Sequence, residues 1–316
     1  MTTGSCIIDG VDIATLGMFI ERGGSDDFLS FPDRRTPDSN DWAEHDGLDV
    51  DLSDLSFDAK KVTVNYVIIA DNEITFKKNL NSFETLHFAT GYRSVFVKEF
   101  NRTFQLRFVG FANYSHKGGL YKPGKKTGKI SVEYSMDDPL QIFTPINTPV
   151  SMRATLSHVS INSIDLSNFG IVVRDIYSTA LKPRSAKQIL ERKINSVTGI
   201  SADTGAVPRR QARQIVIECT MLAGTLSELM SNLPVLWNNL NISTAVKLYV
   251  AQNGFHCYYT GMANFKKETS FSRKVKVSFG LHLQEFSEIQ LLRLLAAEGG
   301  QLVTTETGPC IDLKYM

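Results

Sequence analysis

Apolar and polar positions follow the same order twice along the chain. Val62, Val64, Tyr66 and Ile68 alternate with mostly polar neighbours, and Phe76, Leu80, Phe83 and Leu86 then recur at helical spacing. Alternation of period two predicts a strand, and the stripe predicts an amphipathic helix. Ile215, Ile217, Cys219 and Met221 repeat the alternation, and Leu229, Leu233, Leu236 and Leu240 repeat the stripe. The offset is constant, since 215 − 62, 229 − 76 and 236 − 83 all equal 153. It holds into the next strand, where Val95-Phe96-Val97 matches Leu248-Tyr249-Val250. A hairpin turn then loses two residues, so Phe104, Leu106 and Phe108 fall on Phe255, Cys257 and Tyr259 at 151. Gly110-Phe111-Ala112-Asn113 matches Gly261-Met262-Ala263-Asn264, and after a second shortening Ile130, Val132, Tyr134 and Met136 align with Val275, Val277, Phe279 and Leu281 at 145.

Matches that keep strand parity and helix phase over this length imply a tandem duplication. The repeat is too long for a short solenoid unit and long enough for each copy to enclose a core. The expected fold is α+β and mainly β, with two homologous tandem β-barrel- or sandwich-like domains, each flanked by one helix near 74–88 or 225–240. The expected domains are 1–150, with a long acidic loop at 23–58, and 151–286. A C-terminal helix and extended arm at 287–316 have no counterpart after the first copy. The helix is expected from the apolar run Phe286 to Ala297, stopped by Gly299-Gly300. Pro234 is expected to kink or restart the second helix.

The opening of each copy agrees. Ile7-Ile8-Asp9-Gly10-Val11-Asp12 and Leu16-Gly17 correspond to Ile161-Asn162-Ser163-Ile164-Asp165 and Phe169-Gly170, with 165 − 12 and 170 − 17 both 153. Asp-Gly and Asn-Ser suit two-residue hairpins, and Asp12 and Asp165 read as turn or capping acids.

Charge distinguishes the copies. Between Gly23 and Asp58 stand eleven acidic residues against Arg34 and Arg35, a net of −9; they include Asp33, Asp38, Asp41, Glu44 and Asp46. The equivalent stretch, Lys182 to Arg213, holds eight basic residues, among them Arg209, Arg210 and Arg213, against Glu191 and Asp203, a net of +6. The eleven carboxylates lack the spacing of a calcium loop.

With 316 residues, 42% hydrophobic, 21% charged and a net charge of +1, the chain has neither a nucleic-acid-like nor a strongly acidic balance. Residues 1–20 have no basic start and carry Asp9 and Asp12 among their apolar positions, unlike a secretory signal. Cys6, Cys219, Cys257 and Cys310 form no C-x-x-C pair, which suits reduced thiols and cytoplasmic production. The glycine-rich run 114–129 has Gly119, Gly124 and Lys125 at Walker spacing, but Lys126 stands where a hydroxyl is needed and a strand pattern follows. The six histidines show no paired metal spacing, and no nucleophile motif occurs. The expectation is a non-enzyme with no cofactor and no metal.

The order of elements, a strand-turn opening (Ile7 to Ile20), a long loop with Pro32-Asp33-Arg34-Arg35-Thr36 and Asp46-Gly47-Leu48-Asp49, then strand, helix and hairpins, resembles the ring-forming domain of phage distal tail proteins. That family is related to tail-tube and baseplate-hub domains. The resemblance implies a structural component of a virion tail, assembled in the host cytoplasm, that surrounds the DNA channel and joins tail tube to tail tip. Its partners would be itself and other tail proteins, with DNA only in transit and no membrane. Common distal tail proteins follow the ring domain with a different β-sandwich, whereas a second copy here resembles hub proteins in which three chains make a pseudo-sixfold ring.

The opposite charges of 23–58 and 182–213 fit that arrangement, because complementary potentials guide encounter and oppose like-with-like pairing. Asp33, Asp38, Asp41, Glu44, Asp46, Arg209, Arg210 and Arg213 are thus expected inter-subunit contacts, in a trimer by preference or a hexamer. The alternative is a carbohydrate- or peptide-binding pair of β-domains, with Tyr114, Tyr121 and Tyr258 as contact residues.

Overall fold

The computed structural model describes residues 4–117, 124–141, 143, 157–189, 191–193, 195–196, 198–202, 205, 207–269, 274–286, 295–296 and 302–303. The chain opens on β1 (Cys6–Ile8) and β2 (Val11–Asp12), joined by Asp9 and Gly10 at φ 48° and 83°. Two positive φ values give the turn whose twist matches that of the strands. Asp12 accepts the Ala14 N–H at 3.0 Å and so caps a 3-10 turn, Ile13–Leu16, which Gly17 ends in the left-handed region. After β3 (Met18–Ile20) and a long loop come β4 (Lys60–Ala70), helix α1 (Glu73–His87), β5 (Arg93–Val97), β6 (Arg102–Lys117) and β7 (Lys126–Met136). They form one antiparallel sheet in the order β2-β1-β5-β6-β7-β4-β3.

The second half lays down β8 (Val159–Ile161), β9 (Ile164–Asp165), a 3-10 turn (Leu166–Phe169), β10 (Ile171–Asp175), a helical turn α2 (Tyr177–Ala180), β11 (Gln214–Ala223), α3 (Leu226–Leu240), β12 (Val246–Val250), β13 (Asn253–Thr269) and β14 (Val275–Glu285). Its sheet runs β9-β8-β12-β13-β14-β11-β10, the first order with seven added to every strand. Asp165 accepts the Ser167 N–H at 2.8 Å, as a capping acid. The fold is mainly β with few helices, as the alternation implies. Val62, Val64, Tyr66 and Ile68 all point into the first core, and Ile215, Ile217, Cys219 and Met221 into the second.

Both long helices begin on a polar cap: Asn72 accepts from Thr75 N–H at 2.8 Å and Thr225 from Glu228 N–H at 3.1 Å. Such caps satisfy N–H groups that the helix cannot. Pro234 does not restart α3, which is continuous through it. Buried Pro234 and its neighbours Leu233, Val235, Leu236 and Trp237 hold the helix by packing, which outweighs the lost backbone bond.

The last strands pair differently from the sequence alignment. Val62 faces Tyr134 and Ile215 faces Leu283, so with 215 − 62 equal to 153 the final offset is 283 − 134, or 149, in place of 145. Ile130, Val132, Tyr134 and Met136 therefore correspond to Phe279, Leu281, Leu283 and Glu285. A slip of four keeps every side chain on its face, so alternation alone does not detect it.

The C-terminal expectation also changes. Leu295–Ala296 is a strand paired antiparallel with Leu302–Val303, not the end of a helix. Gly299-Gly300, expected as a helix stop, lies outside the described residues. Residues 287–294, the remaining arm, Cys310, Tyr121 and the rest of 118–123 lie outside the described residues.

Candidate assembly interface

The acidic loop of the first half lies on the second sheet. Its core is Trp237 of α3, 1% exposed, which meets Phe31 and Phe57 with ring centroids 5.0 Å away, stacks on Phe143 at 5.1 Å, and meets Tyr259 of β13 edge-on at 5.6 Å. Three of those four rings come from the first half. Aromatic contacts of this geometry add about 0.5–1.5 kcal/mol each beyond area burial.

Backbone groups fix the register of this contact. The Arg34 N–H donates to the Thr260 carbonyl at 3.0 Å, and the Tyr259 hydroxyl donates to the Pro32 carbonyl at 3.1 Å. Arg34 is buried, lies 5.5 Å over the Tyr258 ring and reaches the Ile242 carbonyl with Nη1 at 3.4 Å. Tyr258, expected as an exposed contact residue, is covered by this guanidinium and is 5% exposed. Tyr114 is exposed.

Lys267 of β13 supplies a second anchor. Its N–H donates to Asp26 Oδ2 at 2.8 Å, its Nζ meets Glu99 Oε1 at 2.5 Å, and it lies 4.7 Å over the Phe100 ring. Burial raises the Asp26 pKa, opposed by the Lys267 N–H and charge. Lys60, beneath the start of the loop, donates to the Phe28 and Ser30 carbonyls at 3.2 and 2.5 Å, and burial lowers its pKa to about 7. The long loop is thus a built connection between the halves.

The acidic and basic stretches meet within one chain. Lys187, buried, donates to the carbonyls of Trp42 and Gly47 at 2.7 and 2.6 Å and pairs with Asp41. Asp46 accepts the Arg210 N–H at 2.7 Å, which holds its pKa below the ordinary value, and the Gly47 N–H returns to the Arg210 carbonyl at 2.8 Å. Asp33 lies against Gly261, where a Cβ would stand 2.4 Å from its Oδ1. Arg213 donates to Glu285 at 2.8 Å and to the Lys182 carbonyl at 2.7 Å, and lies over the Phe255 ring. Asp38 accepts the Asp51 N–H through its backbone carbonyl at 2.9 Å, and the Arg209 carbonyl accepts the Lys187 N–H at 2.6 Å. Asp38, Glu44 and Arg209 have exposed side chains.

Charge pattern pointed to contacts between subunits, whereas within the chain Asp41 pairs with Lys187 and Asp46 accepts the backbone N–H of Arg210. The aromatic centre carries no sequence signal: Trp237 stands beside the stripe of Leu229, Leu233, Leu236 and Leu240 and is not part of it, and Phe31 and Phe57 lie in a loop with no periodicity.

No protein-family model and no curated protein sequence matches the chain. Among solved structures it is similar to the Dit protein of phage SPP1, described as a paradigm of the hub adsorption apparatus in phages that infect Gram-positive bacteria. The TM-score is 0.34 at 10% identity, over 90% of this chain and 100% of that one. At that level neither fold nor function carries over.

Proposed function

We propose that this chain is a structural, ring-forming subunit of a phage or phage-derived tail, of the distal tail or hub type. The observation that supports this most directly is the junction itself. Two sheets of the same strand order are joined through an aromatic centre and paired backbone groups, so each chain offers two like modules held in contact. A ring of like modules needs such a lateral contact, and the order of elements resembles the ring domain of distal tail proteins. Three chains would give six modules, and a hexamer of chains would give two tiers. The exposed Asp38, Glu44 and Arg209 are the members of the charged set that a neighbouring subunit would meet. DNA would pass through the channel, other tail proteins would bind the two faces, and the proposal assigns no catalytic residue, cofactor or metal.

Negative-stain electron microscopy of the purified protein, with its mass measured by light scattering, tests the reading. A hollow ring of three chains is expected, and six chains would favour the two-tier form. A monomer at every concentration that binds members of a glycan panel would overturn it in favour of a binding protein.

A further inference from the structure

We infer that the exposed face of β6 around Val109 is the docking site for the Pro183–Ala186 segment of a second copy of this chain. The inference rests on the proposed self-assembling role and names the surfaces that carry it.

The junction inside the chain supplies the template. Its donor is Phe31-Pro32-Asp33-Arg34, held at its base by the bridge between Arg34 and Phe57. Its acceptor is a bulge in β13. The ladder to β14 runs from Tyr259 opposite Leu283 to Gly261 opposite His282, leaving Thr260 out, and the Thr260 carbonyl takes the Arg34 N–H. A bulge turns a backbone group out of the ladder and makes it available to a partner.

Both parts recur, and both recurrences are open. In β6 the ladder to β7 runs from Phe108 opposite Tyr134 to Gly110 opposite Glu133, leaving out Val109, which matches Thr260 at the offset of 151. Val109 is 55% exposed, and nearby Phe88 and Phe111 are 65% and 37% exposed. Phe88 and Phe111 lie 6.2 Å apart, and Phe108 lies within 5.5 Å of both. On the donor side Ala186 bridges Arg210 as Arg34 bridges Phe57, so Pro183 takes the place of Phe31 and Ala186 that of Arg34. Pro183, Ser185 and Ala186 are exposed, whereas Phe31, Pro32 and Arg34 are buried. The donor is also held in place, because Lys187 is tied to Trp42 and Gly47 and Arg184 pairs with Glu285. A preorganised segment loses little freedom on docking.

Each chain therefore carries one open donor and one open acceptor at unlike ends. Repeating the internal junction between chains is a heterologous contact, and it either closes into a ring or runs on as a filament. In the docked state the Ala186 N–H would meet the Val109 carbonyl, and Pro183 would lie on the Phe88 and Phe111 rings.

Complementation tests it. Val109→Asp disables the acceptor, and Pro183→Asp with Ala186→Asp disables the donor; both change exposed positions, and circular dichroism checks that each protein is folded. Sedimentation of each variant alone is expected to show self-association weakened at least about tenfold, the scale of one lost contact of about 1.4 kcal/mol. An equimolar mixture of the two variants is expected to form dimers and nothing larger, because one good donor meets one good acceptor. Wild-type assembly that persists unchanged in both variants overturns this contact and leaves the ring reading standing. A wild-type protein that stays monomeric up to its solubility limit overturns both.

Discussion

His87 Nε2 and the Tyr134 hydroxyl lie 2.6 Å apart inside the first core, while the residues at the same two places in the second half, Leu240 and Leu283, are apolar. His87 Nδ1 lies 2.8 Å from the Phe83 carbonyl, so it carries the proton there and Nε2 accepts from Tyr134. The Tyr134 and Tyr66 hydroxyls are 3.3 Å apart. The second core has Cys219 where the first has Tyr66, so the same sheet order forms with or without this polar chain.

Burial lowers the His87 pKa to about 4, below its ordinary 6.5. Between those values the unfolded chain binds a proton that the folded chain refuses, so the contribution of His87 is fully present above pH 6.5 and is lost as the pH drops towards 4. A shift of this size corresponds to about 3 kcal/mol. Urea midpoints should decline over that window, and His87→Leu should flatten the decline. An identical slope in the variant would show that other groups control acid stability.

Trp237→Ala should cost about 3–5 kcal/mol, the usual loss for deleting a large buried aromatic. It should also loosen the first half from the second, because Phe31, Phe57 and Phe143 all pack on this one ring. Limited proteolysis should then cut within 23–58 faster than in the parent. Phe83→Ala, in the first core and away from the junction, should destabilise by a similar amount without that acceleration.

Lys187→Met keeps the length of the side chain and removes the ammonium that binds the Trp42 and Gly47 carbonyls. Leaving such groups unpaired costs about 1–3 kcal/mol. Hydrogen exchange should quicken at the Gly47 amide, which is bonded to the Arg210 carbonyl, and stay unchanged in β4 and β11. Unaltered exchange at Gly47 would mean that this clasp does not hold the loop.

Gly17 and Gly170 end equivalent turns at φ 64° and 74°, and an added Cβ would stand 2.3 Å from the Ile69 carbonyl oxygen and 2.5 Å from that of Leu222. Backbone does not move aside as a flexible side chain would. Gly17→Ala and Gly170→Ala should each destabilise by roughly 1–3 kcal/mol, as for other strained left-handed residues. Thermal melts of both variants measure this, and a neutral result at either position would show that its turn can re-form.

Some of this protein could be read in one dimension. Alternation placed Val62 to Ile68 and Ile215 to Met221 on core faces, helical spacing located α1 and α3, and the Asp9-Gly10 and Asn162-Ser163 pairs marked the opening hairpins. These are local properties: side-chain direction follows from a period of two or 3.6, and turn type from which residues tolerate positive φ. The same locality limited the reading. Period two cannot distinguish an offset of 145 from 149, so only the pairing of Val62 with Tyr134 and Ile215 with Leu283 settled the last strand. Leu295 and Ala296 sit in an apolar run that suits a helix, and a partner strand at Leu302–Val303 decided otherwise. The acidic loop shows charge in sequence but no sign of where it goes. Phe31, Phe57, Phe143, Trp237 and Tyr259 come from five separate stretches, and no local period links them. They meet on Trp237 only when the chain is folded, because the contacts join residues up to about two hundred positions apart, and no local period encodes such a contact.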